Sequence, residues 1–418
     1  MLYAVLGAVA LHVWQHRGGQ SVTQLGFGYG ALIQAIQETG EYRVPAGVHY
    51  PDVAFSAHRL PFIPYFVIGL SSVLGDDLGR VAFAKCLLFG AVLAFAFGVV
   101  LKNTRAPLGW VLLALGAAAT MPRWVLNVFE VGLEEGYTIP VLSALFVLLW
   151  FPPAEERHAR GWNVLIGLLL VLLIFLKSSM VYWCVAVPVL LWLRDRRLMQ
   201  SVVVLVFVIG GFALLASFNA RHAGRFTIGS SWEGWNLYKG NCEHTAALYP
   251  PYSLDILDYE GKVQADRRLA DEWDHNAYFR QRAVDFIRAH PAEFLSLAAR
   301  KAWVFFAEVR PTGLAHRGES RYASPQYLLQ IPWMIVFRLA LWSAIALALR
   351  TLWSASRHGE EWTVALTYLV FLALYSGFHV VGFAYERHVM PVVMPTVLYL
   401  LWRAGTSARR SAPEPATR

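Results

Sequence analysis

Charge is what this chain has least of. Asp, Glu, Lys and Arg make up only 15% of its 418 residues, against 57% apolar and 14% aromatic residues. So little charge excludes an ordinary soluble globule and describes a chain that crosses a membrane several times. Polar and apolar residues do not alternate either: the apolar runs are continuous, so a barrel is excluded and helices must satisfy the backbone in lipid. Cysteine is scarce. Cys86 and Cys184 lie inside apolar runs and Cys242 in a polar loop, with no CxxC spacing, which leaves neither a structural disulfide nor a thiolate metal site. No internal repeat or low-complexity segment is visible, which speaks against the inverted halves of a transporter. The charge that is present is net basic, +8. In so apolar a chain Lys and Arg mark cytoplasmic loops, and nucleic acid is rejected as a partner.

The sequence thus specifies an all-α membrane protein of about ten transmembrane helices. Met1 to Trp14 is short for a span but lacks the basic n-region and cleavage site of a signal peptide, and is read as the first span, with a true start upstream of Met1 left open. Further spans are expected at 79–101, 107–122, 138–152, 162–177, 178–194, 200–217, 329–349, 362–382 and 389–402. The stretch 61–75 is apolar but ambiguous. Placing it across the bilayer would turn the clusters Lys102/Arg105, Arg157/Arg160, Arg194/Arg196/Arg197, Arg350/Arg357 and Arg403/Arg409/Arg410 outward, against the positive-inside rule; laid on the surface as a juxtamembrane helix, it keeps all five inside. The organisation expected is a transmembrane module 1–217 containing a first outer loop 15–78, a small mostly helical extracytoplasmic domain 218–328, C-terminal transmembrane helices 329–405 and a cytoplasmic tail 406–418. In the outer domain, Asp266 to Ala289 reads as one amphipathic helix, and Pro291 opens the next.

Five basic residues stand at or near outer helix ends: Arg59, Lys85, Lys177, Arg338 and Arg387. A cation there costs a few kcal/mol unless paired or hydrated. Five on one side favour a shared pocket for an anion such as a lipid phosphate or pyrophosphate, although each alone is as well explained by snorkelling to headgroups. Glu134 and Glu135 open a span in a short outer loop, with Glu41 and Asp52 the further acids of the first loop, and these four are the candidate catalytic carboxylates. Adjacent carboxylates point apart on a helix, so one of Glu134 and Glu135 is expected to face the site. Tyr29, Tyr65, Trp235 and Tyr238 are candidates to contact substrate, while most aromatics of the outer domain are expected to form its core. His49, His58, His244, His379 and His388 show no metal-binding spacing, and His379 reads as a satisfied core histidine. No cofactor is specified, and a divalent cation held by carboxylates is compatible with the acids present.

The order of motifs resembles the GT-C superfamily of integral-membrane glycosyltransferases, in particular the lipid A aminoarabinose transferase, protein O-mannosyltransferase and lipopolysaccharide-core transferase branches. Carrying the resemblance are Tyr29 with ETGEYRVP at 38–45, RLPFIPYFVIGLSSVLG at 59–75 with Arg80, Glu134/Glu135, GWNLYKGN at 234–241, HPAEFLSLAARKAW at 290–303 and YERHVMPVVMP at 385–395. It implies that Arg59 binds a donor phosphate, that Arg387 is the arginine of a terminal R-x3-P-x3-P pattern and that Glu134 or Glu135 is the second-loop acid; from their place at outer helix ends, Lys85, Arg338 or Arg387 are expected to assist Arg59. It also implies a polyprenyl-phosphate sugar donor, a lipid, glycan or protein acceptor, and a site facing outward from the cytoplasmic membrane. One departure is clear: where the family places an acid three or four residues before the tyrosine, this chain has Leu25 and Gly26. The expected activity is transfer of a monosaccharide from the lipid phosphate. The alternatives are a lipid-linked glycan flippase and an O-antigen-type ligase or polymerase.

Overall fold

The structure is a computed structural model describing residues 18–104, 130–152, 156–195, 198–259, 261–310, 312, 325–354 and 359–411. Among these residues the regular elements are helices, and β-pairing is confined to isolated bridges of Val44 with Phe55 and Tyr50 with Val53. In chain order the helices are α1 (Tyr29–Thr39), α2 (Phe62–Leu74), α3 (Leu78–Thr104), α4 (Glu135–Trp150), α5 (Glu156–Leu176), α6 (Val181–Asp195), α7 (Leu198–Ala223), α8 (Glu233–Gly240), α9 (Glu243–Leu248), α10 (Asp255–Tyr259), α11 (Glu272–Ala289), α12 (Pro291–Phe306), α13 (Pro325–Ser354), α14 (Glu360–Val381) and α15 (Met390–Ser411). Eight of the expected spans coincide with α3 to α7 and α13 to α15; those at 1–14 and 107–122 lie outside the described residues, as does the tail beyond Ser411. By length and composition, five helices in the described residues can cross a membrane: Leu78–Thr104, Leu198–Ala223, Gln330–Ser354, Glu360–Val381 and Glu386–Thr406.

The bundle is organised around α4. All of its residues from Glu135 to Trp150 are buried, because its sequence is apolar on every face and such a helix is stable only when surrounded. Helices α3, α5 and α15 enclose it. Lipid is as apolar as leucine, so contact between such helices rests on close packing rather than on expulsion of water. The seam between α5 and α7 shows it: a Cβ on Gly167 would lie 2.5 Å from the Phe207 ring, and one on Gly211 would lie 3.2 Å from Ile174. Below the head of α4 the interior is filled by aromatic rings. Phe146 stacks on Trp183 at 5.6 Å and meets Phe371 and Trp150 edge-on at 5.1 and 5.0 Å.

Helix α2 has 13 residues, about 20 Å at 1.5 Å per residue, short of the roughly 30 Å of hydrocarbon in a bilayer. It begins after Pro61 and ends at Gly75. The first loop then joins the 218–310 region into one cap over the bundle. The Glu272 carboxylate accepts from the Ser56 and Ala57 amides at 3.0 and 2.8 Å, and the Ser230 hydroxyl donates to the His58 carbonyl at 3.1 Å. Helix α11 starts at Glu272, six residues later than the sequence suggested. The reason is Asp271, whose carboxylate accepts from the amides of Trp273 and Asp274 at 2.8 Å and is the stronger N-cap. Pro291 does open α12, and α15 runs on to Ser411, past the residue 406 at which a tail was expected.

Candidate active site

A cavity of about 1230 Å³ lies between the cap and the bundle. One wall begins at Phe27, which sits in the left-handed region at φ 61°, followed by Gly28 at φ 78°. For a residue with a Cβ such backbone costs about 1–3 kcal/mol and persists only when its surroundings hold it. Arg59 does so, donating from Nε and Nη2 to the Phe27 carbonyl at 3.0 and 2.7 Å. Gly28 cannot be replaced, because a Cβ there would come within 2.1 Å of the His49 ring. The turn leaves the Phe27 side chain half exposed in the cavity, where the Arg387 guanidinium lies 5.6 Å from its ring centre. Phe27 therefore serves both arginines, one through its carbonyl and the other through its ring. Arg59 also packs 5.1 Å over the Tyr29 ring and approaches Glu134 at 3.9 Å.

The cavity floor is the head of α4. Glu134 and Glu135 both line it, and the Lys177 ammonium reaches them at 3.3 and 2.8 Å. The expectation that only one of the pair faces the site is corrected. The Lys177 ammonium reaches both carboxylates and so holds the two side chains on one side of the helix start. Carboxylates at a helix N-terminus are favoured by the exposed amides, and the buried ammonium keeps the pair from standing uncompensated.

The opposite wall comes from α8, α10 and the 3-10 turn Glu386–Val389. Lys239 pairs with Asp255 at 2.5 Å, and the Ser253 hydroxyl donates to the same carboxylate at 3.0 Å. Despite burial, Lys239 and its hydrogen bonds hold Asp255 below the usual carboxylate range. Asp258, one turn on, opens to the cavity. Surrounding protein raises it, Asp255 adds to the effect, and it stands at about 6. Trp232 and Trp235 line the cavity as well. His49 and His58 face each other at 3.2 Å between ring nitrogens; burial, then the Arg59 charge, lower His49 to about 4 and His58 well below its ordinary value, so both are neutral near pH 7.

Of the five outer basic residues, Arg59, Lys177 and Arg387 line the cavity. Lys85 and Arg338 do not, and their expected phosphate role is corrected. The long Lys85 side chain carries its ammonium to the Glu130 carbonyl at 2.7 Å and over the Tyr137 ring at 4.1 Å. Arg338 donates to the carbonyls of Val304, Phe305 and Glu308, satisfying the last turn of α12. Asp52 is exposed in the turn between Tyr50 and Val53, and Glu41 is exposed beside a separate cavity of about 420 Å³; neither reaches the main cavity. Tyr65 stacks on Tyr42 at 5.8 Å outside it, and Tyr29 lies buried beneath Arg59. Trp235 lines the cavity, whereas Tyr238 packs behind it against Phe279 and Arg282. His379 lines the cavity too: it contacts the Phe383 carbonyl at 3.2 Å, but its other ring nitrogen is buried without a partner. Among the described residues no three His, Cys, Asp or Glu side chains are grouped to hold a metal. Sequence reasoning missed Lys239, Asp255 and Asp258. The only signal was the acid pair at i and i+3 in SLDILDYE, which any solvated loop could carry.

Within an all-helical, largely apolar bundle, this arrangement defines a polar cavity with two arginines beside a carboxylate-bearing helix head. No protein-family model matches the sequence, and no curated protein matches it. Among solved structures the chain is similar to ArnT from Cupriavidus metallidurans bound to undecaprenyl phosphate, with 16% identity over 98% of this chain and 78% of that one and a TM-score of 0.37. It is similar also to the apo state of that protein, with 16% identity over 96% and 76% and a TM-score of 0.39. No residue role is carried over from these structures.

Proposed function

We propose that the protein is a glycosyltransferase moving a monosaccharide from a polyprenyl-phosphate donor to an envelope acceptor, in a cavity facing outward from the cytoplasmic membrane. The observation that carries this is the pairing of Arg59 and Arg387 on the two sides of Phe27. Two planar guanidiniums on one aromatic residue suit a phosphate, which accepts bidentate hydrogen bonds. Among the described residues Arg387 has no ion-pair partner, and its buried Nε has no hydrogen-bond partner, so it is available to a ligand. The phosphate is the leaving group, and its developing charge is stabilised by donors already in place. A single in-line displacement inverts the anomeric carbon. The aromatic packing of Phe146, Trp150, Trp183 and Phe371 below the cavity favours a one-sided reaction chamber over a flippase, which needs a polar path through the bundle.

The test is transfer of label from radiolabelled polyprenyl-phosphate monosaccharides to cell-envelope acceptors by the purified protein. Wild type is expected to transfer, and Arg387→Ala to weaken polyprenyl-phosphate binding by about 10- to 150-fold, the equivalent of about 1.5–3 kcal/mol for a lost charge-assisted bond. Unchanged binding in both Arg387→Ala and Arg59→Ala would remove the phosphate site.

A further inference from the structure

Transfer to a hydroxyl requires a group to take its proton, and a carboxylate already held by an ammonium is a poor one. The cavity carboxylates are committed in this way with one exception. Glu134 and Glu135 share Lys177. Asp255 holds Lys239 and Ser253. Glu233 accepts from the Ser230 amide at 3.1 Å and faces Arg280 at 3.6 Å, and Glu386 is buried within the 386–389 turn and engages a neighbouring group. Asp258 alone makes no hydrogen bond or ion pair through its carboxylate among the described residues, and it opens into the same cavity as Arg387.

We infer that Asp258 is the catalytic base, so that the acid missing from the first loop at Leu25 and Gly26 is supplied from the opposite wall by α10. The inference rests on the transferase proposal and adds to it. In the reaction the Asp258 carboxylate takes the acceptor O–H proton, and the freed oxygen lone pair forms the new bond to the anomeric carbon. The bond from that carbon to the phosphate oxygen breaks with its electron pair, releasing polyprenyl phosphate. The charged groups facing Asp258 are Asp255 from its own helix and Lys239 from α8, with Arg387 across Asp255 and Arg280 of α11 on the cavity wall. Asp255 keeps Lys239 engaged, so Asp258 retains the basicity that a direct ammonium partner would remove. Its value of about 6 leaves it ionised at neutral pH and able to accept a proton.

The experiment measures label transfer and polyprenyl-phosphate binding side by side for wild type, Asp258→Asn and Asp258→Glu. Asp258→Asn is expected to transfer about 10²- to 10⁴-fold more slowly with binding unchanged and the melting temperature held or raised, and Asp258→Glu to recover part of the rate. The wild-type rate should fall about tenfold per unit as pH drops below about 6, a limb absent from the residual rate of Asp258→Asn. If Asp258→Asn transfers within threefold of wild type and keeps the limb, Asp258 is not the base while the transferase proposal stands. If wild type neither binds polyprenyl phosphate nor transfers sugar, the proposal fails and the base assignment with it. If Asp258→Asn fails to fold, the wild-type limb and the Asp258→Glu rate decide: no limb near pH 6 overturns the assignment.

Discussion

The two walls of the cavity hold similar numbers of charges in opposite states. On the wall built from the head of α4, Glu134 and Glu135 share Lys177 at 3.3 and 2.8 Å, with Arg59 3.9 Å from Glu134, so every charge there has an opposite charge beside it. On the wall built from α8, α10 and the 386–389 turn, one pair is closed, Lys239 with Asp255, while Asp258 and Arg387 carry no ion pair among the described residues. A closed set is a structural device: it stays fixed while substrate comes and goes, and it is costly to open. An open group spends nothing on its neighbours and so keeps its hydrogen bonds and its proton affinity for a ligand. The difference separates the residues that shape this cavity from those that act in it.

The sharpest way to break that comparison is to remove the cation of the closed set. Lys177→Met leaves two carboxylates without their partner, and breaking a buried pair in this way costs about 3–5 kcal/mol. The expected result is a large fall in melting temperature in detergent or nanodiscs, partly restored by adding Glu135→Gln, which removes the orphaned charge. Asp258→Asn, on the open wall, should hold or raise the melting temperature at neutral pH, because it removes a charge that burial and Asp255 disfavour. Equal stability losses at the two positions would erase the distinction.

The bundle was legible in the sequence because apolar run length reports directly on spans, and eight expected spans fell on helices. The basic residues at helix ends were legible for the same reason, since a cation at that depth stands out against hydrocarbon. Their partners were not. Nothing in the spacing of Lys85 or Arg338 announces that their long side chains reach backbone carbonyls rather than the cavity. The head of α4 misled because the shared partner of Glu134 and Glu135 is Lys177, more than forty residues away in sequence, which helical spacing does not report. Asp255 and Asp258 lie in a polar loop where acids are ordinary, and only folding brings them into one cavity with Arg387. Phe27 was equally silent, because a positive φ at a phenylalanine is imposed by Arg59 and the His49 contact at Gly28 rather than by local sequence.

Phe27 offers a finer test, because it touches both arginines by different means. Phe27→Gly keeps the left-handed turn and the carbonyl that holds Arg59, while removing the ring beneath Arg387. The lost cation–π contact is about 0.5–2 kcal/mol, so polyprenyl-phosphate binding is expected to weaken by roughly 2- to 30-fold. Relief of the strained φ, about 1–3 kcal/mol, offsets the lost packing, and the melting temperature should hold or rise. Phe27→Ala, which keeps the strain and loses the ring, should lose both binding and stability. If Phe27→Gly binds as tightly as wild type, the ring does not seat Arg387.

The smallest effect separates the buried histidines of the cap, His49, His58 and His275, from Asp258 by pH. His49 and His275 are each lowered to about 4, mainly by burial, and His58 lies well below its ordinary value for the same cause. A group whose folded value is depressed below its unfolded value binds more protons when the chain unfolds, so stability is lost as pH falls from about 6.5 toward 4. The open base titrates in the same range but works through rate, since its ionised form is what accepts the proton. Melting temperature followed from pH 7 to 4 should therefore decline in wild type, decline more steeply in Asp258→Asn, which lacks the carboxyl whose raised folded value gains stability as pH falls, and decline less steeply in His275→Phe, which keeps a ring against Trp232. Label transfer should behave in the opposite way, its acid limb persisting in His275→Phe and disappearing in Asp258→Asn. If His275→Phe removed the limb in transfer, proton uptake by the histidines rather than by Asp258 would govern the rate.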